Sequence, residues 1–188
     1  LGVPRYTMTV CGSKLYARMG SAVSGRPQQS AYTAPSGYLV CVDLQAEGRL
    51  VWKTLPEDKS WAFEGSPLAD GSNVYVAMRR TEFGPQAQAH VACFDAETGR
   101  LRWRTFVCAA ETPARGMFHH ATHNLLSRDG DTLYYNTSLG AVAAVSTVDG
   151  QIQWVSLYPR AREGDLLRPA TPWSRGLRPW RVGRGSVR

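Results

Sequence analysis

Three tryptophans at a fixed interval constrain this 188-residue chain more than any other feature: Trp52, Trp103 and Trp154 are spaced by 51 residues both times. Each ends a segment of one design, an apolar run, a short polar turn, and a second run that alternates up to the indole. The three segments are Val42 to Trp52 (VDLQAEGRLVW), Phe94 to Trp103 (FDAETGRLRW) and Val145 to Trp154 (VSTVDGQIQW). In each, a glycine stands four residues before the tryptophan, at Gly48, Gly99 and Gly150. Glycine at such a place supplies the positive φ that three- to five-residue hairpin loops need, so each segment reads as a β-hairpin.

A second signature runs beside the first. Cys11 to Tyr16 (CGSKLY), Asp70 to Tyr75 (DGSNVY) and Asp129 to Tyr134 (DGDTLY) each place a glycine four residues before a tyrosine. Strand-like alternation flanks these turns, with Val74, Val76 and Met78 on one face and Tyr75 and Ala77 on the other. Every repeat therefore holds two hairpins and about four strands. Four antiparallel strands recurring at about 50 residues are the mark of propeller blades. The expected fold class is all-β, a partial β-propeller of four-stranded antiparallel blades, with about three blades over residues 1–158 and a basic irregular tail over 159–188. The separation of the paired turn glycines falls along the chain, from Gly12 and Gly48 through Gly71 and Gly99 to Gly130 and Gly150. Constant strands with variable connections place those connections on the surface.

Charge and cysteine content narrow the function classes. The net charge is +7, but residues 159–188 carry eight arginines against Glu163 and Asp165, a local +6, which leaves +1 for residues 1–158. The basic character belongs to the tail and not to a folded face that docks a duplex, so nucleic acid is not an expected partner. The tail composition cannot build a core and reads as a disordered or out-of-frame end. Cys11, Cys41, Cys93 and Cys108 show no metal-ligand spacing. Cys41 and Cys93 recur as Cys-apolar-Asp with Ala144 in the third copy, which suits small buried strand residues. No apolar run reaches the roughly 18–20 residues that span a bilayer, and no start-of-chain targeting pattern is visible.

The segment from Val91 to Trp103 resembles the repeat of pyrroloquinoline-quinone-type propellers, in which an apolar strand runs into Asp-Ala-x-Thr-Gly-x-x-x-Trp. Ala141 to Trp154 matches with Ser146 in place of the Asp, and Tyr38 to Trp52 matches with one extra residue in its turn. The resemblance implies a propeller in which each repeat tryptophan packs against the neighbouring blade. It implies a fragment of a larger bacterial protein, extracytoplasmic or periplasmic, with the remaining blades elsewhere in the parent chain. It leaves two kinds of role open. One is a binding or scaffold module for a protein or peptide, without a cofactor, as in the propeller lipoprotein of outer-membrane assembly. The other is a fragment of a quinone-dependent alcohol or sugar dehydrogenase, which would bring pyrroloquinoline quinone and calcium. The dehydrogenases carry adjacent cysteines above the cofactor, and no Cys-Cys pair occurs here, so the binding role is the expectation and no catalytic residue is assigned.

Candidate sites are few. His119, His120 and His123 cluster, but on a strand His120 faces away from the other two, and on a helix the Glu of H-E-x-x-H is missing. Asp129-Gly130-Asp131 shares its place with Asp70-Gly71-Ser72 and Cys11-Gly12-Ser13, so a tight turn rather than calcium is the common requirement. No metal site is expected. Arg5, Glu64 and His123 each lie 11 residues before Tyr16, Tyr75 and Tyr134, near the start of each blade's first strand. That strand borders the channel of a propeller, so these three are the candidate ligand- or partner-binding residues. No phosphate loop and no G-x-S-x-G elbow is present.

Overall fold

The computed structural model describes residues 8–20, 37–81, 86–111, 126–137 and 139–158. These form twelve strands: β1 (Met8–Cys11), β2 (Lys14–Met19), β3 (Tyr38–Asp43), β4 (Arg49–Thr54), β5 (Trp61–Ala69), β6 (Asn73–Thr81), β7 (Gln86–Asp95), β8 (Leu101–Glu111), β9 (Leu126–Asp129), β10 (Thr132–Asn136), β11 (Ala141–Ser146) and β12 (Ile152–Leu157). They pair in chain order into three four-stranded antiparallel sheets, β1 to β4, β5 to β8 and β9 to β12. Each sheet is one copy of the two-hairpin repeat, and no helix occurs among the described residues. The all-β blade architecture is as the repeat predicts. Arg5, His119, His120, His123 and the tail over 159–188 lie outside the described residues.

The turn glycines do what their positions require. Gly48, Gly99 and Gly150 sit at φ of 80°, 67° and 75°. In the last two, the glycine N–H donates to the carbonyl of Asp95 or Ser146 four residues back, at 2.9 and 3.0 Å. The first turn, one residue longer, reaches back to Asp43 at 2.8 Å and puts Glu47 at φ 55°. The Asp-Gly turn before β6 is held by Asp70, whose Oδ1 accepts from Ser72 N (3.1 Å) and Asn73 N (2.8 Å), an Asx arrangement with no need of a cation. In the β7–β8 turn the Asp95 carboxylate accepts from Arg102, Thr98 and the Glu97 N–H, which holds it far below the usual carboxylate range.

The core lies between the blades. In β6, Val74, Val76 and Met78 face blade 1 and pack with Tyr16, Leu39, Cys41 and Trp52, while Tyr75 and Ala77 face blade 3 and pack with Leu133, Tyr135, Ala143 and Val145. A strand apolar on both faces is thus a strand sandwiched between two neighbours. Cys41, Cys93 and Ala144 are each fully buried, as small residues opposite the indoles of Trp52, Trp103 and Trp154.

The two joints repeat one device. The Trp52 ring lies over Gly99 and the Trp103 ring over Gly150; a Cβ built on either glycine would stand 2.6 Å from the indole. Two residues after each tryptophan a threonine hydroxyl donates to the glycine carbonyl, Thr54 to Gly99 at 2.8 Å and Thr105 to Gly150 at 2.6 Å. Trp52 Nε1 also donates to Ala96 O at 3.0 Å. Across the first joint, Thr9 donates to Pro67 O (2.6 Å) and Lys14 pairs with Glu97; across the second, Arg128 pairs with Asp70 at 3.2 Å.

Candidate functional site

The blade topology sorts the molecule into two ends. All six glycine turns, between first and second and between third and fourth strands, lie at one end. The connections between second and third strands, and the links between blades, leave from the other. The first end is spent on regular turns. The second carries the variable connections and a concentration of aromatic and charged side chains from the start of β5, the end of β6, the start of β7 and the middle of β8.

Trp61 opens β5 and is buried at the centre of this cluster. The Arg104 guanidinium lies over its ring at 3.9 Å and that of Arg80 at 5.5 Å, both within cation–π range. His90 meets Trp61 edge to face at 4.7 Å and Phe106 at 5.4 Å. His90 Nε2 lies 3.1 Å from Gln88 Oε1, and Arg104 pairs with Glu57 at 2.8 Å. Pairing makes the cluster: Trp61 stands opposite Arg80 and His90 opposite Phe106. Phe106 is half exposed, so the patch presents an aromatic ring beside guanidinium groups.

Burial, with like-charge repulsion from Arg104 and Arg80, lowers the His90 imidazole to about 4 from an ordinary 6.5. The folded state keeps it neutral while the unfolded chain takes a proton as pH falls through 6.5. Stability is therefore unaffected by this group above pH 6.5 and is lost as pH falls from 6.5 toward 4. His90→Leu is expected to remove about 1.4 kcal/mol per pH unit of slope over that window, read as the difference between the two proteins' denaturation free energies. Parallel curves would show that His90 is already charged in the folded chain.

Of the three residues expected at the channel mouth, the structure describes Glu64. It sits four residues into β5, beside a bulge at Gly65 (φ 66°) that interrupts the pairing between Glu64 and Leu68. Its carboxylate is buried and pairs with Arg79 Nε at 3.4 Å across the hairpin. Arg18, also buried, donates to Phe63 O at 3.0 Å, so it ties blade 1 to the backbone next to Glu64. Glu64 is thus held on a strand within a charged pair. Sequence reasoning missed Trp61, Arg80, His90 and Arg104, which lie outside the repeated motifs.

Seven of the described carboxylates are held by turns or by cations of the same chain. Asp43, Asp58, Asp70 and Asp95 each accept from backbone N–H groups of their own turns. Glu57, Glu64 and Glu97 face Arg104, Arg79 and Lys14. Among the described residues no three His, Cys, Asp or Glu side chains converge as metal ligands, and no helix is long and apolar enough to cross a membrane. No step through a quinone is derived from them.

Comparison with known proteins fits this architecture. The family profile described as outer membrane protein assembly factor BamB, of the PQQ type, matches residues 12–174. Two quinone alcohol dehydrogenase subunits are similar over shorter stretches: that of Komagataeibacter europaeus, 33% identical over 98 residues, and that of Gluconobacter oxydans, 36% identical over 78 residues. These matches cover 48% and 37% of this chain but only 13% and 10% of the relatives. Among solved structures, a europium-containing methanol dehydrogenase aligns over 81% of this chain and 32% of its own, with TM-score 0.55 and 16% identity. The quinohemoprotein alcohol dehydrogenase from Comamonas testosteroni aligns over 81% and 27%, with TM-score 0.52 and 16% identity. At that identity the structures bear on the fold alone, which they share. With a family profile covering most of its length and three blades joined by indole–glycine contacts, the chain belongs to the PQQ-like β-propeller repeat family.

Proposed function

We propose that the chain is a binding or scaffold part of a larger PQQ-like propeller, and that it holds a protein or peptide at the end where Trp61, Arg80, His90, Arg104 and Phe106 gather. The observation that carries this reading is the stack itself. Two guanidinium groups lie over a buried indole, with a neutral imidazole and an exposed phenyl ring alongside. Aromatic and arginine side chains held rigidly together are what anchor protein interfaces. The guanidinium groups favour an acidic partner segment. Arg5, Glu64 and His123 would border the same end. The family description, which names the outer membrane, supports a place in the bacterial envelope outside the cytoplasm. Further blades of a parent chain are the other partners of this reading.

The dehydrogenase reading rests on the sequence likeness to the two alcohol dehydrogenase subunits. One experiment separates the two. The parent protein is given pyrroloquinoline quinone, calcium, an alcohol or sugar, and an electron-accepting dye, and in parallel carries a photo-crosslinking amino acid at position 106 in its host cell. Protein adducts that Arg104→Glu abolishes, without dye turnover, are the expected result. Dye reduction that depends on the quinone would overturn the scaffold reading.

A further inference from the structure

A carboxylate from the chain's own linker already lies on the aromatic and guanidinium patch of blade 2. The segment between β4 and β5, residues 55–60, carries the chain from blade 1 to blade 2. Its far end is pinned: Asp58 Oδ1 accepts from Ser60 N at 2.6 Å, and Ser60 O accepts from the Thr81 N–H at 2.8 Å. Its near end follows Thr54, whose hydroxyl is held on Gly99 O at 2.8 Å. Between these anchors Leu55 is 65% exposed and the Glu57 side chain 55% exposed, and Glu57 reaches Arg104 Nη1 at 2.8 Å.

Arg104 is the better-held member of that pair. Its guanidinium lies 3.9 Å over the Trp61 ring, and its side chain is only 23% exposed. Stacking on an aromatic face leaves guanidinium N–H groups for oxygen acceptors, and a carboxylate is the acceptor that matches them. Glu57, by contrast, hangs from an exposed stretch of linker. An ion pair with so exposed a carboxylate contributes little, so Arg104 can exchange one carboxylate for another at small cost.

We propose that Glu57 is an internal stand-in for the partner, and that a side-chain carboxylate from an extended partner segment displaces it from Arg104. This rests on the partner-binding reading above. The receptor also fixes a spacing: Arg104 and Phe106 stand opposite Ala92 and His90 in unbroken register, so they share one face of β8. Residues two apart on a strand are about 7 Å apart. A partner strand that answers both carries Asp or Glu two residues from a large apolar side chain, which the half-exposed ring of Phe106 receives. Arg80, 5.5 Å from the same indole, adds positive charge to the site. Glu57 competes with every incoming acid, so segments that engage the carboxylate position alone are disfavoured against those that also engage Phe106.

The test uses the parent protein in its host cell with benzoylphenylalanine, a photo-crosslinker that keeps the aromatic ring, at position 106. It is compared with the same protein carrying Glu57→Gln, and with Glu97→Gln, which makes the same charge change at a carboxylate paired with Lys14 across the first joint. Glu57→Gln is expected to raise the adduct yield about 2- to 5-fold, the factor that release of an exposed ion pair supplies, and Glu97→Gln to leave it unchanged. The crosslinked partner segment should hold Asp or Glu two residues from a large apolar residue. A yield that ignores or falls with Glu57→Gln, an equal rise with Glu97→Gln, or a crosslinked segment without an acidic residue would overturn the displacement and leave the partner-binding reading standing. No adduct from any of the three proteins would overturn both.

Discussion

Gly99→Ala is expected to destabilise the chain by about 2–4 kcal/mol, and Gly48→Ala by no more than about 1–2 kcal/mol, in chemical denaturation followed by tryptophan fluorescence. The two glycines share a backbone region, φ 67° and 80°, so the cost of forcing a side chain into left-handed conformation is common to both. What differs is space. A Cβ on Gly99 would stand 2.6 Å from Trp52 Cδ2 and Cε3 and 2.9 Å from Thr54 Oγ1, whereas at Gly48 it meets nothing. The indole cannot back away cheaply, because Nε1 is fixed on Ala96 O and the ring is buried. The alanine must therefore open the joint between blades 1 and 2 or break the Thr54 bond to the Gly99 carbonyl. Gly150→Ala should behave like Gly99→Ala, with Trp103 and Thr105 as the obstacles. Equal losses at Gly48 and Gly99 would mean that the indole does not clamp the glycine.

These contacts also mark where the sequence could be read and where it could not. The repeat of glycine and tryptophan is written in the chain because both ends of each joint demand one residue type: only glycine fits under the ring, and only a large flat side chain spans the gap between sheets. The alternation of Val74, Val76 and Met78 with Tyr75 and Ala77 was legible for the same reason, since both faces of β6 are buried. The hydroxyl at Thr54, Thr105 and Ser156 was an available signal, W-x-[ST], that only the hydrogen bond to the glycine carbonyl makes meaningful. The Trp61 cluster carried no such signal. Its members come from four strands and occur once, so they show themselves only when the sheet places Arg80 opposite Trp61 and His90 opposite Phe106. Glu64 was singled out by counting from a tyrosine, and its partner Arg79 lies on the next strand, out of reach of any local pattern.

The three tryptophans are equivalent in sequence and unequal in energy. Trp52→Ala is expected to cost about 3–5 kcal/mol, the range for emptying a large buried aromatic site. It removes a ring packed with Tyr16, Cys41 and the blade 2 core, deletes the bond to Ala96 O, and leaves Gly99 without its cover. Trp154→Ala in the 188-residue chain is expected to cost under about 1 kcal/mol, since its ring is 46% exposed and surface substitutions rarely exceed that. In a stacked repeat, stability is a sum of blade terms and joint terms. The first substitution cancels a joint and the second removes a ring exposed among the described residues. Urea titration of both variants gives the comparison directly. A loss at Trp154 as large as that at Trp52 would place its ring under cover like that of Trp52.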